Sequence, residues 1–312
     1  MKPAAFDYYR PSTIGDAVAA LASSDAAKVL AGGQSLIPSM NFRLALPDLL
    51  VDIRRVDGLD GMEAGPDGVT IGASVTQSRV MASDAVSAVV PGLRQALHFV
   101  GHLQIRNRGT VCGSLAHADP AAELPALAMA SGAKLRIQGP AGERTVGAGD
   151  FFLGPFWTDL GHGEIVTGVH FPAQPFGSLT VVDEIARRSG DFAIAGLAAT
   201  FDLKGKGITG ARLVSFGVSG VASRMATAEE AIRGFEQGDD GSDLYAAAYE
   251  DAADAVDDIH ATAEYRREAL GALVVRNAAS LAGRSVDTDR RGRRLKGRPG
   301  RRRSITDRFK RT

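Results

Sequence analysis

At 312 residues the chain is long enough for two domains or three small ones, and 45% apolar residues can build a real core. No run of roughly 18 apolar residues occurs, so no membrane span is expected, and the single cysteine, Cys112, excludes both an internal disulfide framework and an iron–sulfur cluster held by this chain alone. The formal net charge of zero hides thirteen Lys/Arg against three Asp in residues 284–312, +10 there and −10 elsewhere, which reads as a solvated, disordered basic tail rather than a nucleic-acid arm.

In chain order, the start at Met1–Tyr8 lacks the apolar stretch of a signal peptide, and together with the lone thiol this points to a cytoplasmic protein. Lys28–Ala31 predicts a short strand running into Gly32-Gly33, and Ser35–Arg43 has helical spacing that Pro47 stops. Leu49–Ile53 and Val69–Ile71 read as strands, and Pro91–His102 as a helix with Leu93, Leu97 and Val100 on one face. Asp119-Pro120 signals a helix start, with the helix running through Ala130 to Gly132. Strands are expected at Lys134–Gln138, Arg144–Val146 and Glu164–Phe171. Pro172-Ala173-Gln174-Pro175 is the clearest boundary. Beyond it, strands near Thr180–Ala186, Phe192–Leu203 and Ala211–Val218 precede helices near Thr227–Phe235, Ser242–Val256 and Thr262–Ala282. That order indicates a separate α+β domain.

Several motifs are decoys. Gly205–Gly210 satisfies GxGxxG, but a strand follows it where a dinucleotide fingerprint needs a helix, so a hairpin turn is expected. His98 and His102 stand four apart without the Glu of an HExxH site or a third ligand. No nucleophile elbow or Walker loop appears. What remains is a pair of small-residue loops, Ala31-Gly32-Gly33-Gln34-Ser35 and Thr110-Val111-Cys112-Gly113-Ser114. Glycines let backbone N–H groups approach an anion, and Ser35, Thr110 and Ser114 add hydroxyls. Two such loops without a Rossmann unit suit a dinucleotide whose pyrophosphate is held from two sides.

At this point the sequence resembles a known family. Lys28–Ser35 with Leu36–Leu44, the long block Gln104–Pro125, Arg187–Ala195, and Tyr265-Arg266-Arg267 are similar, in that order, to the flavoprotein subunits of the molybdenum hydroxylases, across about residues 1–282. The resemblance implies an α+β fold. A two-lobed FAD-binding domain of the vanillyl-alcohol-oxidase (PCMH) type would span 1–175, its lobes split near 57–60. A smaller α+β C-terminal domain of the carbon monoxide dehydrogenase flavoprotein kind would span 176–282, with the basic tail at 283–312 outside both.

The same resemblance implies roles. Ala31, Gly32, Gly33, Gln34 and Ser35, with Thr110, Val111, Cys112, Gly113 and Ser114, would hold the FAD pyrophosphate. Glu123 would meet the ribose or pyrophosphate, and Ile165 or Val166 the adenine. Phe192, Ile194 and Phe99 would lie near the isoalloxazine ring. Relatives place glycine where Cys112 stands, and some carry a flavin-facing lysine where this chain has Asp183 and Glu184, which gives no support to NAD as acceptor. No residue here need be a proton-transferring catalyst, and no metal is expected on this chain. A large molybdopterin subunit would oxidise the substrate and a small subunit with [2Fe–2S] clusters would relay electrons through FAD to an external acceptor, in a dimer of heterotrimers. The alternatives are a stand-alone FAD oxidase or dehydrogenase, which would need its own acid–base pair, and an assembly subunit without flavin.

Overall fold

The computed structural model describes residues 2–205 and 207–283, and the basic-tail expectation from Arg284 onward lies outside them. The chain begins with a parallel three-stranded sheet in which Leu49–Asp52 lies between Asp7–Tyr9 and Lys28–Leu30. The crossover helix Ile14–Ala22 starts where the Thr13 hydroxyl accepts from the Asp16 N–H at 3.1 Å, and it buries Ala17, Val18 and Leu21 on one face. A second, antiparallel sheet follows in the order Met62–Gly65, Gly68–Gly72, Ile165–Pro172, Lys134–Gly139, Gly142–Gly147. The change of sheet falls between Asp52 and Met62.

Helices inserted between Gly68–Gly72 and Lys134–Gly139 cover that sheet. Pro91–Phe99 and Glu123–Ser131 pack on each other, and the latter is buried nearly all round because a third sheet closes over it. That sheet is the smaller C-terminal domain's: Ser178–Ile185, Ala195–Lys204, Gly207–Phe216 and Ser223–Arg224, with Phe235–Glu236 pairing the far end of Gly207–Phe216. Along Ala195–Lys204, residues Ala195, Leu197, Ala199 and Phe201 enter one core with the helix Ala263–Leu281, while Ala198 enters the other with Leu124 and Leu127. Alternation of side chains in a strand thus feeds two cores from a single apolar run. Gly196 is required there, since an added Cβ would strike the Phe216 ring at 2.2 Å.

Most expected elements are present within a few residues, and Lys204 pairs with Gly207 across the hairpin expected at the GxGxxG decoy. Two expectations need correction. The helix expected from Asp119 starts at Glu123 instead, because Asp119 Oδ1 accepts from the Ala121 N–H at 2.9 Å and the Pro120 carbonyl accepts from Gly217 N–H at 2.8 Å; both hold 119–122 as a turn. The Thr110–Ser114 stretch does not follow a strand as a free loop. It is the start of the helix Val111–His117, capped by Thr110 Oγ1, which accepts from Gly113 N–H at 3.0 Å. No helix among the described residues is long and apolar enough to cross a membrane.

Candidate functional site

Gly33 leaves the Lys28–Leu30 strand with φ +71°, a left-handed turn that carries the chain into the helix Leu36–Asn41. The N–H groups of Gly32, Gly33, Gln34 and Ser35 donate to no partner among the described residues; the Gln34 side chain folds back onto Gly32 O at 3.1 Å. Four consecutive free donors make a concave anion nest. The second segment offers fewer. Val111 N–H goes to Val75 O, Gly113 N–H to the Thr110 hydroxyl and Ser114 N–H to Thr110 O, leaving the Cys112 N–H and the hydroxyls.

The two segments touch. A Cβ added to Gly32 would lie 2.4 Å from Arg108 O and 2.6 Å from Gly109 Cα, and one added to Gly113 would lie 2.7 Å from Thr110 Oγ1 and 3.7 Å from Ala31 Cβ. These glycines therefore also serve the packing of the chain on itself. Gly32 lets one loop seat on the backbone of the other, and Gly113 makes room for the cap that starts the helix.

Both segments border one cavity of about 1030 Å³. That is at the upper end of small-molecule pockets, roughly 300–1,000 Å³, as suits an extended dinucleotide. Its walls include Leu160–Val166 with the end of the first helix, and Val100, Gly101, Ile105 and Gly190–Phe192. Of the residues singled out from the sequence, Ala31–Ser35, Thr110, Cys112–Ser114, Glu123, Ile165, Val166 and Phe192 line it. Val111, Phe99 and Ile194 do not. Val111 turns into the core. The helix Pro91–Phe99 ends at Phe99, and it is Val100, its C-cap, that faces the cavity. Ile194 is buried as its N–H pairs with Ile185 O, whereas Phe192 stands 72% exposed at the rim.

Electrostatics follow burial. Glu123 is buried, and that burial, with the Glu184 and Asp119 charges nearby, lifts its carboxyl to about 8, so it is largely protonated at pH 7 and does not repel a phosphate. Burial and the Asp183 charge raise Glu184 to about 7. Asp183 is turned away, held by Arg276 at 2.6 Å and Asn277 at 2.9 Å. The Cys112 thiol points inward to Ile71 O at 3.7 Å and burial pushes it up to about 12, so the loop accommodates this side chain by hiding it, and it is no nucleophile. Burial also lowers the His117 imidazole, whose ring packs on Phe156 at 5.1 Å.

Two arginines brace the backbone beside the cavity without lining it. Arg106 donates to Val100 O at 2.7 Å and Gly101 O at 3.0 Å, which uses its guanidinium for the chain rather than for an anion. Arg266, buried, donates to Ile194 O at 2.7 Å and to Gly217 O, and pairs with Asp258 at 2.6 Å. Arg266, alone of the Tyr265-Arg266-Arg267 block, thus fastens the end of the Gly190–Ile194 turn. No sequence spacing signals that link across 72 residues. Among the described residues no three His, Cys, Asp or Glu side chains gather as a metal site. The free-donor nest, the glycine seat and a neutral acid on the wall fit FAD.

Comparison with known proteins agrees with this geometry. Residues 4–174 match the family described as FAD binding domain in molybdopterin dehydrogenase, and 181–281 match the CO dehydrogenase flavoprotein C-terminal domain. The chain is 36% identical over 285 residues to the nicotine 6-hydroxylase medium subunit of Paenarthrobacter nicotinovorans, covering 91% of this chain and 100% of that one. Its fold superposes with a TM-score of 0.86 on a chain of carbon monoxide dehydrogenase from Hydrogenophaga pseudoflava, 34% identical, covering 91% and 100%. Quinoline 2-oxidoreductase from Pseudomonas putida 86 gives 0.83 at 36% identity, covering 90% and 99%.

Proposed function

The chain belongs to the FAD-binding medium subunits of the molybdenum hydroxylases, and from that membership we propose that Ala31–Ser35 and Thr110–Ser114 hold the FAD pyrophosphate, the nest of Gly32–Ser35 N–H groups carrying most of the contact. The observation that supports this is the seating of Gly32 on Arg108–Gly109 beside four unpaired N–H groups. Glu123, protonated, donates to the ribose or pyrophosphate region. Ile165 and Val166 take the adenine, and Phe192 flanks the ring. The bound flavin supplies the electron-carrying chemistry. The chain's own residues bind it, orient it, and leave one edge open at Phe192. Residues 1–175 form the FAD domain, with lobes meeting near 57–60, and 176–282 the C-terminal domain.

The partners are a large molybdopterin subunit and a small iron–sulfur subunit, in a dimer of heterotrimers working in the cytoplasm. The relatives' names span carbon monoxide, nicotine and quinoline, so the substrate is set by another polypeptide. The test is rapid mixing of the substrate of the co-purified assembly with the isolated chain and with that assembly, following bleaching of the flavin band. Bleaching in the assembly alone is expected. Equal bleaching in both would show that this chain oxidises substrate by itself and would refute the subunit role.

A further inference from the structure

One polar side chain on the cavity wall has no role in the scheme above. Gln77 opens the helix Gln77–Ala82 behind its N-cap Thr76, and its backbone N–H donates to Gly109 O at 2.8 Å. Thr76 also bridges to Thr110. Gln77 is thereby fixed to the same segment on which Gly32 sits. Its side chain belongs to a residue only 4% exposed that nonetheless lines the cavity, and its Oε1 is sealed from solvent with no hydrogen-bond partner among the described residues. A Cβ added at Gly109 would lie 3.0 Å from that oxygen, so only a residue without a side chain leaves room for the amide there.

A buried amide oxygen without a partner is unfavourable, and an apolar side chain of equal length would pack there without that cost. Its position says what it meets instead. Gly109 N–H in turn donates to Ile105 O at 2.7 Å, so the segment that holds Gln77 also carries Ile105, which lines the same cavity with Val100 and Phe192. An uncharged amide both donates and accepts, which suits hydroxyl and imide groups better than a phosphate. Its terminal torsion is broad and two-fold, so either polar end turns toward the cavity at little cost.

We propose that Gln77 is a cofactor-holding residue whose side-chain amide hydrogen-bonds the uncharged flavin half of FAD, at the ribityl hydroxyls or the imide edge of the ring. This rests on the reading of the cavity as an FAD site. The experiment uses the full chain stripped of flavin, as wild type and as Gln77→Met, which keeps length and removes the amide. FAD binding is followed by flavin fluorescence, ADP binding by competition, and the flavin-free chain by thermal melting. The expected result is FAD affinity lower by about 5–30-fold in the variant, unchanged ADP affinity, and a melting midpoint equal to or above that of wild type. A shifted visible band in the bound variant places the bond at the ring edge; an unshifted band places it at the ribityl chain. Unchanged FAD affinity with a lowered midpoint would make Gln77 merely structural and overturn the proposal, as would equal losses for FAD and ADP. Wild type that binds no FAD would overturn the cofactor reading itself, before any variant is compared.

Discussion

Gly32→Ala is the sharpest test of how the two loops cooperate. The new methyl would stand 2.4 Å from Arg108 O and 2.6 Å from Gly109 Cα, both backbone atoms that no rotamer change can clear. Ordinary contact requires the loops to part by about 1 Å. Overpacking of this kind costs about 1–3 kcal/mol. A 1 Å misplacement of a positioned group lowers function by about 100-fold, so FAD affinity should fall by about 10- to 100-fold while the chain still folds. Gly58→Ala is the control, because Gly58 has φ +81° but nothing within 4 Å of an added Cβ. It should cost about 1 kcal/mol of stability from backbone strain alone and leave FAD binding untouched. The assay is bound flavin per polypeptide and FAD affinity by titration, with denaturant melts alongside. Wild-type FAD affinity in Gly32→Ala would refute the seating argument.

Two further outcomes follow from the same geometry. Glu123, raised from 4.5 to about 8 by burial, binds a proton more tightly folded than unfolded, so its contribution to stability is complete below about pH 4.5 and is lost as pH rises through about 8. Glu123→Gln should flatten that fall, gaining up to about 5 kcal/mol over wild type at high pH and little at low pH. Thermal melts of the flavin-free chain across that range check it, and parallel curves for the two proteins would contradict it. Arg266→Met should strand the Ile194 and Gly217 carbonyls and free Asp258, costing about 2–4 kcal/mol. It should also loosen the Phe192 turn, seen as raised hydrogen exchange at 190–194. Unchanged exchange there would remove Arg266 from the site's support.

The composition of the two glycine loops was legible because its cause is local: glycine and small hydroxyl residues are what a backbone nest needs, wherever it lies. The helix Ala263–Leu281 was legible for the same reason, since Thr262 caps it through the Tyr265 N–H at 3.2 Å. The helix Val111–His117 was not. Its opening Val-Cys-Gly-Ser is poor helix material, and it forms because Val111, Cys112 and Leu115 are buried in the larger core. Likewise the sequence places Phe99 beside Val100 without saying which faces the cavity; the end of the helix Pro91–Phe99 decides that. The seat of Gly32 on Arg108, the grip of Arg266 on Ile194 and the docking of Gln77, its amide oxygen unpaired among the described residues, on Gly109 all join segments far apart in the chain. Residue type and spacing carry chemistry that acts within a turn or two of backbone. Which distant backbone a glycine must clear, and which buried polar atom is left without a partner, is settled only when the sheets and helices close over one another.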